Sequence, residues 1–150
     1  VTQIQVLDIR PTPAPRQSRR DKWAPSKAVR EYRAFRDHVG YKVKDLPADF
    51  FHAVFVIPMS DSWSEKKKRE FCGHPHELKP DADNLVKALL DAVYRGREDS
   101  HVWNYATTKL WGFTGVILIA DDYIPFLELP VDLAELVRGS WDVYDRTPVV

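Results

Sequence analysis

The chain carries one cysteine, Cys72, in 150 residues. A lone thiol excludes an internal disulfide framework and a zinc site built on several cysteines, and it suits a reducing compartment. Long hydrophobic runs are also missing. None approaches the roughly 18 apolar residues of a membrane-crossing helix, so no membrane partner is expected. The first residues, VTQIQVLDIR, hold no basic leader followed by an apolar block, and no signal peptide is expected there. Internal repeats are absent, and linker-like composition is confined to one early loop. One domain spanning residues 1–150 is therefore expected, of a size that buries a single core.

Net charge is lacking too, with 22 Lys and Arg against 22 Asp and Glu, but the charge is unevenly spread. From Arg10 to Lys44 there are eleven Lys or Arg against three acids, Asp21, Glu31 and Asp37. From Asp121 to Val150 seven acids face only Arg138 and Arg146. A basic first third suits a polyanion, although a solvated surface has the same composition. At 44% hydrophobic and 29% charged, the chain has the make-up of a folded domain rather than a disordered one.

Along the chain, residues 3–9 alternate like a strand. RPTPAPRQSRRDKWAPS follows, a loop by its prolines. It interleaves Arg16, Arg19, Arg20 and Lys22 with Trp23, a mixture that fits phosphates and a stacked base as well as an anchored surface loop. Ser26 is placed to cap a helix running to about Val39 and ended by Gly40. Its core face is Val29, Tyr32, Phe35 and Val39, with Arg30 and Arg33 pointing elsewhere. FFHAVFVI over 50–57 reads as a buried strand ended by Pro58, with His52 a satisfied strand histidine. Ser62 and Glu65 have capping-box spacing before a short helix bearing Lys66, Lys67, Lys68 and Arg69. Those cations are either a phosphate-attracting patch or a solvated helix. His74 and His76 form a loop with Pro75 and lack an evident third metal ligand. Residues 101–109 and 113–119 are expected to pair as an antiparallel hairpin near Gly112. A short helix near Asp132 to Arg138 and a segment with Trp141 and Tyr144 complete the reading. The fold class expected is α+β, with helices packed on a mixed or antiparallel sheet and a terminal hairpin after the central helix.

The chemistry concentrates between Lys79 and Ser100, KPDADNLVKALLDAVYRGREDS. Asp81 and Asp83 stand at the start of a helical pattern. Lys87 and Asp91 follow Asp83 at i+4 and i+8, on one stripe, opposite Leu85, Ala88, Leu89, Ala92 and Val93. Glu98 and Asp99 lie past the end. Hydrolysis of a phosphodiester needs a nucleophile, a stabilised leaving oxygen and neutralised phosphate charge, which oxygen-held divalent ions supply. Carboxylates packed together stay ionised only when a cation bridges them. Asp99 reaches Asp81 and Asp83 if the following strand runs back past the helix start. The same acids also serve as helix caps, Asp83 as N-cap and Asp81 through the dipole, and spacing leaves both readings open.

The run from Lys79 to Val93 resembles the signature of the RusA family of Holliday junction resolvases, a basic residue followed by Asp-x-Asp-Asn-Leu-x-Lys and a helix with Asp-Ala. Glu98-Asp99-Ser100-His101-Val102 is similar to the acidic pair that opens that family's next strand. The likeness is close over about residues 79–109 and looser over the N-terminal strand, the Pro-Arg loop and the Trp23 to Phe35 region, as in phage-borne members. It implies a small homodimeric, Mg²⁺-dependent endonuclease (Mn²⁺ substituting) that cuts four-way DNA junctions symmetrically, in the cytoplasm of a bacterial host. It implies metal ligation by Asp81, Asp83 and Asp99 and a functional Lys87, with Asn84, Asp91 and Glu98 supporting. Arg16, Arg19, Arg20, Lys22, Trp23, Arg30, Arg33, Lys66, Lys67, Lys68 and Arg69 become the expected DNA contacts. The sequence departs from the family at His101, at the basic Arg95-Gly96-Arg97, and in a long acidic C-terminal part. The rival readings are a junction or single-strand DNA binder without catalysis, a flap or fork nuclease, and a structural protein whose acids only cap helices.

Overall fold

The structure, a computed structural model, describes residues 2–16 and 18–125. The expected helix at 132–138 and the segment of Trp141 and Tyr144 lie outside them. Four strands, β1 (Ile4–Leu7), β2 (Phe51–Pro58), β3 (Tyr105–Gly112) and β4 (Val116–Ala120), form one sheet. Three helices accompany it, α1 (Lys27–Lys42), α2 (Glu65–Phe71) and α3 (Ala82–Val93). The strand order is β1-β4-β2-β3, with β2 parallel to β3 and antiparallel to β4. The class is α+β with a mixed sheet.

The central strand explains why 50–57 reads as unbroken hydrophobicity. Phe51, Ala53, Phe55 and Ile57 pack with α1 and α3 on one face of the sheet. Val54 and Val56 cluster with Leu110, Val116 and Leu118. A strand buried on both faces has no polar alternation to display. This placement also corrects the expected hairpin. β3 and β4 run antiparallel but do not pair with each other, because β2, the most apolar strand, sits between them and takes a neighbour on each side.

α1 buries Val29, Tyr32, Phe35 and Val39, as its periodicity predicts, and Ser26 caps it by accepting from the Val29 N–H. Gly40 does not end it. The helix continues to Lys42, and Gly40 marks where α1 meets α3: a Cβ there would lie 2.9 Å from the Ala92 carbonyl oxygen. α2 begins two residues later than its capping-box spacing suggests. Ser64, not Ser62, accepts from the Lys67 N–H, while Ser62 is taken up with Ser60. In β1, Leu7 is buried in the main core and Val6 is exposed.

His52 is fully buried. Its Nδ1 accepts the Ile124 backbone N–H at 2.9 Å, so the neutral ring carries its proton on Nε2, 2.9 Å from Thr108 Oγ1. Burial holds the pKa of His52 below the ordinary 6.5, and burial assisted by the Lys109 ammonium does the same for His76. A histidine that resists protonation when folded lets the unfolded chain bind the proton first. Stability is therefore unaffected above about pH 6.5 and falls as pH drops through the unfolded value toward the folded ones. The expected result is a lower thermal midpoint at pH 5.5 than at pH 7.5, and a smaller drop in His52→Gln than in the parent. Equal midpoints for the parent at the two pH values would contradict it.

Candidate metal centre

The route into α3 is built by the edge of the sheet. β3 is an edge strand, and unpaired edge groups need cover. Residues 73–76 supply it: the Gly73 N–H donates to the Trp111 carbonyl, the Trp111 N–H to the His74 carbonyl, and the His76 N–H to the Lys109 carbonyl. The His74-Pro75-His76 loop thus works as an edge cover. His76 is buried against the Trp111 ring, 4.2 Å between centroids. Lys109 then holds the last residues before the helix, its Nζ donating to the carbonyls of Leu78 and Pro80, each at 2.8 Å. This lysine aims Asp81, and nothing in the local sequence signals it.

Asp81 is the N-cap of α3, and Asp83 lies in the first turn. The N-cap therefore falls on Asp81 rather than Asp83, and its side chain makes no capping hydrogen bond. Both carboxylates are exposed, and neither has a hydrogen-bond or ion-pair partner among the described residues. The ordinary use of an N-cap acid, satisfying an orphan N–H, is not made here. Leu85, Val86, Ala88, Leu89, Ala92 and Val93 face the core, while Asn84 and Lys87 are exposed beside Asp83.

The other acids gather at the far end. Asp91, Glu98 and Asp99 line one open cleft with Tyr32, Arg36, Arg95 and Arg97. Asp91 is half-buried and accepts from the Tyr32 hydroxyl at 3.4 Å, and its negative charge, after burial, raises the Tyr32 pKa. The strand after the acidic pair starts at Tyr105, following a turn in which the Val102 N–H bonds the Asp99 carbonyl. That strand does return past the helix start, but the residue it delivers there is Lys109. Asp99 stays near the exit of a 12-residue helix about 18 Å long. Among the described residues, no group of three or more His, Cys, Asp or Glu side chains is placed to hold a metal ion.

The basic loop is ordered by its one acid. Asp21 is buried and accepts from the Ser18 N–H and hydroxyl and from the Ser26 N–H, bonds that lower its pKa. With the acid turned in, Arg16, Arg19, Arg20, Lys22 and Trp23 stand exposed. Arg30 is exposed too, and Arg33 donates to the Asp21 carbonyl. On α2, Lys66, Lys67 and Arg69 are exposed and Lys68 is half-buried, with the Lys67 ammonium 4.1 Å from the Trp63 ring centroid.

A family model described as endodeoxyribonuclease RusA matches residues 8–120, from the end of β1 to the end of β4. The chain belongs to the RusA family. No curated protein and no solved structure matches it. Membership brings endodeoxyribonuclease chemistry with it, and the match spans both acidic groups and the basic loop. No helix among the described residues is long and apolar enough to cross a membrane.

Proposed function

We propose that this RusA family member is a Mg²⁺-dependent, structure-selective endonuclease that resolves four-way (Holliday) junctions by paired phosphodiester hydrolysis, as a homodimer. The observation that carries this reading is the pair of unengaged carboxylates, Asp81 and Asp83, at the start of α3 in a chain of this family. They fit a hard cation: Mg²⁺ typically takes one or two protein carboxylates and fills its remaining positions with water and substrate phosphate. Mn²⁺ fits the same oxygen donors.

Asp81 and Asp83 would hold the ion, which when bound supplies charge neutralisation, an activated nucleophile and a stabilised leaving oxygen. Lys87, one turn on and exposed, meets the charge that develops on the phosphate. Asn84, exposed next to Asp83, is placed to support the bound ion or its water. Asp99, which the family resemblance implies as a third metal acid with Glu98 and Asp91 in support, stands at the other end of α3, so its own substitution is tested separately from Asp83. The exposed cations of the Pro-Arg loop and of α2 contact phosphates. A two-fold dimer presents two sites to a roughly two-fold junction, which makes paired nicks the natural product.

The test is cleavage of labelled four-way, flap, fork and linear DNA with Mg²⁺, Mn²⁺ or EDTA. Paired symmetric nicks in the four-way substrate alone, lost in EDTA, are expected. Equal cutting of flaps and forks would replace junction resolution with a broader nuclease activity. Metal-independent binding without cutting would replace it with a binding role.

A further inference from the structure

One cationic cleft is not used by the reading above. Beside the α1–α3 crossing at Gly40, Arg36, Tyr41, Lys44, Arg95 and Arg97 line an open groove. Tyr41 is 75% exposed, with the Lys42 and Lys44 ammonium groups 5.9 and 5.6 Å from its ring centroid. The acid lining the groove, Asp37, is bound to Arg95 at 2.6 Å. Asp45 nearby accepts from the Tyr94 hydroxyl and the Leu46 N–H. Arg36, Lys42, Lys44 and Arg97 therefore have no ion-pair partner among the described residues.

Cations at helix C-termini often do no more than complement the dipole and the free carbonyls. That accounts for part of this group: Lys44 Nζ donates to the Gly40 carbonyl, and Arg97 to the carbonyls of Val93 and Lys44. It does not account for Arg36, whose buried Nε–H has no acceptor. A buried donor without a partner is costly and rare. Nor does it account for Lys42 flanking a largely exposed tyrosine. Arg36, Arg95 and Arg97 also line the cleft of Asp91, Glu98 and Asp99, so the cationic groove opens directly onto the second acidic group.

We propose that this groove is a second DNA-binding surface, which takes the phosphate backbone of one arm of the branched substrate and leads it past Glu98 and Asp99. Successive phosphates meet Lys42, Lys44 and Arg97, Arg36 adds its charge to the groove lining, and Tyr41 gives the sugar between them a flat face. The proposal rests on the nuclease reading, because it assumes that DNA is the ligand. It also gives the basic Arg95-Gly96-Arg97, a departure from the family pattern, a task of its own.

The experiment is anisotropy titration of a labelled four-way junction in EDTA at several salt concentrations, for the parent, Lys42→Gln/Lys44→Gln and Lys42→Glu/Lys44→Glu. Loss of two phosphate contacts should flatten the slope of log K against log salt by about 1.8. The glutamate pair should weaken binding at least about tenfold at low salt, with a thermal midpoint within a few degrees of the parent for the glutamine pair, since each helix-end cation is worth under about 1 kcal/mol. A parent-like slope and affinity in both variants would overturn this surface while leaving the nuclease reading standing. Weaker binding with an unchanged slope would also overturn it, since no phosphate contact has then been lost. A parent that binds no DNA at low salt would sink the nuclease reading and this surface with it.

Discussion

Asp83→Asn should lower Mg²⁺-dependent cleavage of a four-way junction by at least about a thousandfold while leaving DNA binding in EDTA intact. The substitution is nearly isosteric and removes one negative charge. Its fold cost is small, because the Asp83 carboxylate is exposed and accepts nothing from the described residues. Its cost to catalysis is large, because a site with two protein carboxylates loses half its ligand charge. Metal stabilisation of the transition state is worth several kcal/mol, and each 1.36 kcal/mol is tenfold in rate. Cleavage within a few-fold of the parent would show that Asp83 is a first-turn helix acid and nothing more. Asp99→Asn, measured alongside, reports on the far end of α3 independently, since the two positions share no described contact. A thousandfold loss in both would assign the two acidic groups to one reaction.

Leu89→Ala should be strongly destabilising. Leu89 has no exposed surface and packs within the cluster that joins α3 to α1 and the inner face of the sheet. A buried Leu→Ala change costs the transfer energy of the lost methyl groups plus that of the cavity left behind, together about 3–5 kcal/mol. That is a large part of the roughly 5–15 kcal/mol by which such domains are stable. At about 2–4 °C per kcal/mol for a domain of this size, the thermal midpoint should fall on the order of 10 °C. Differential scanning measurements test this. A shift under about 2 °C would mean that the site collapses around the smaller side chain. Because α3 carries Asp81 and Asp83 at its start, this core position also sets how firmly the carboxylates are held.

The two experiments probe opposite sides of one helix, and both sides were legible. A period of 3.6 divides the side chains of 82–93 into a face that must leave water and a stripe that stays in it. Leu85, Ala88, Leu89, Ala92 and Val93 are buried accordingly. The core face of α1, with its Ser26 cap, and the buried β2 were legible for the same reason: burial and capping act over one or two turns or a few alternating residues, within a single element. The Asp-x-Asp-Asn-Leu-x-Lys register reached further and led to the family that the match over 8–120 establishes.

What depended on distant partners was not legible. Local patterning has no information on which strands neighbour each other, so β3 and β4 read as a hairpin until β2 is seen between them. Gly40 reads as a stop signal, but it is required by a carbonyl of Ala92, 52 positions away in the chain. Lys109 carries no mark of its hold on Leu78 and Pro80, which arises only because β3 returns past the start of α3. By itself the sequence determined the faces that α1 and α3 bury, the buried β2, the acidic motif and the family. Only the tertiary structure decided where the acids stand: Asp81 and Asp83 free at one end of α3, Asp91, Glu98 and Asp99 at the other beside a groove of cations. The physical reason is that spacing along a helix sets which face a side chain takes, whereas the path of the chain after the helix is set by packing against the sheet.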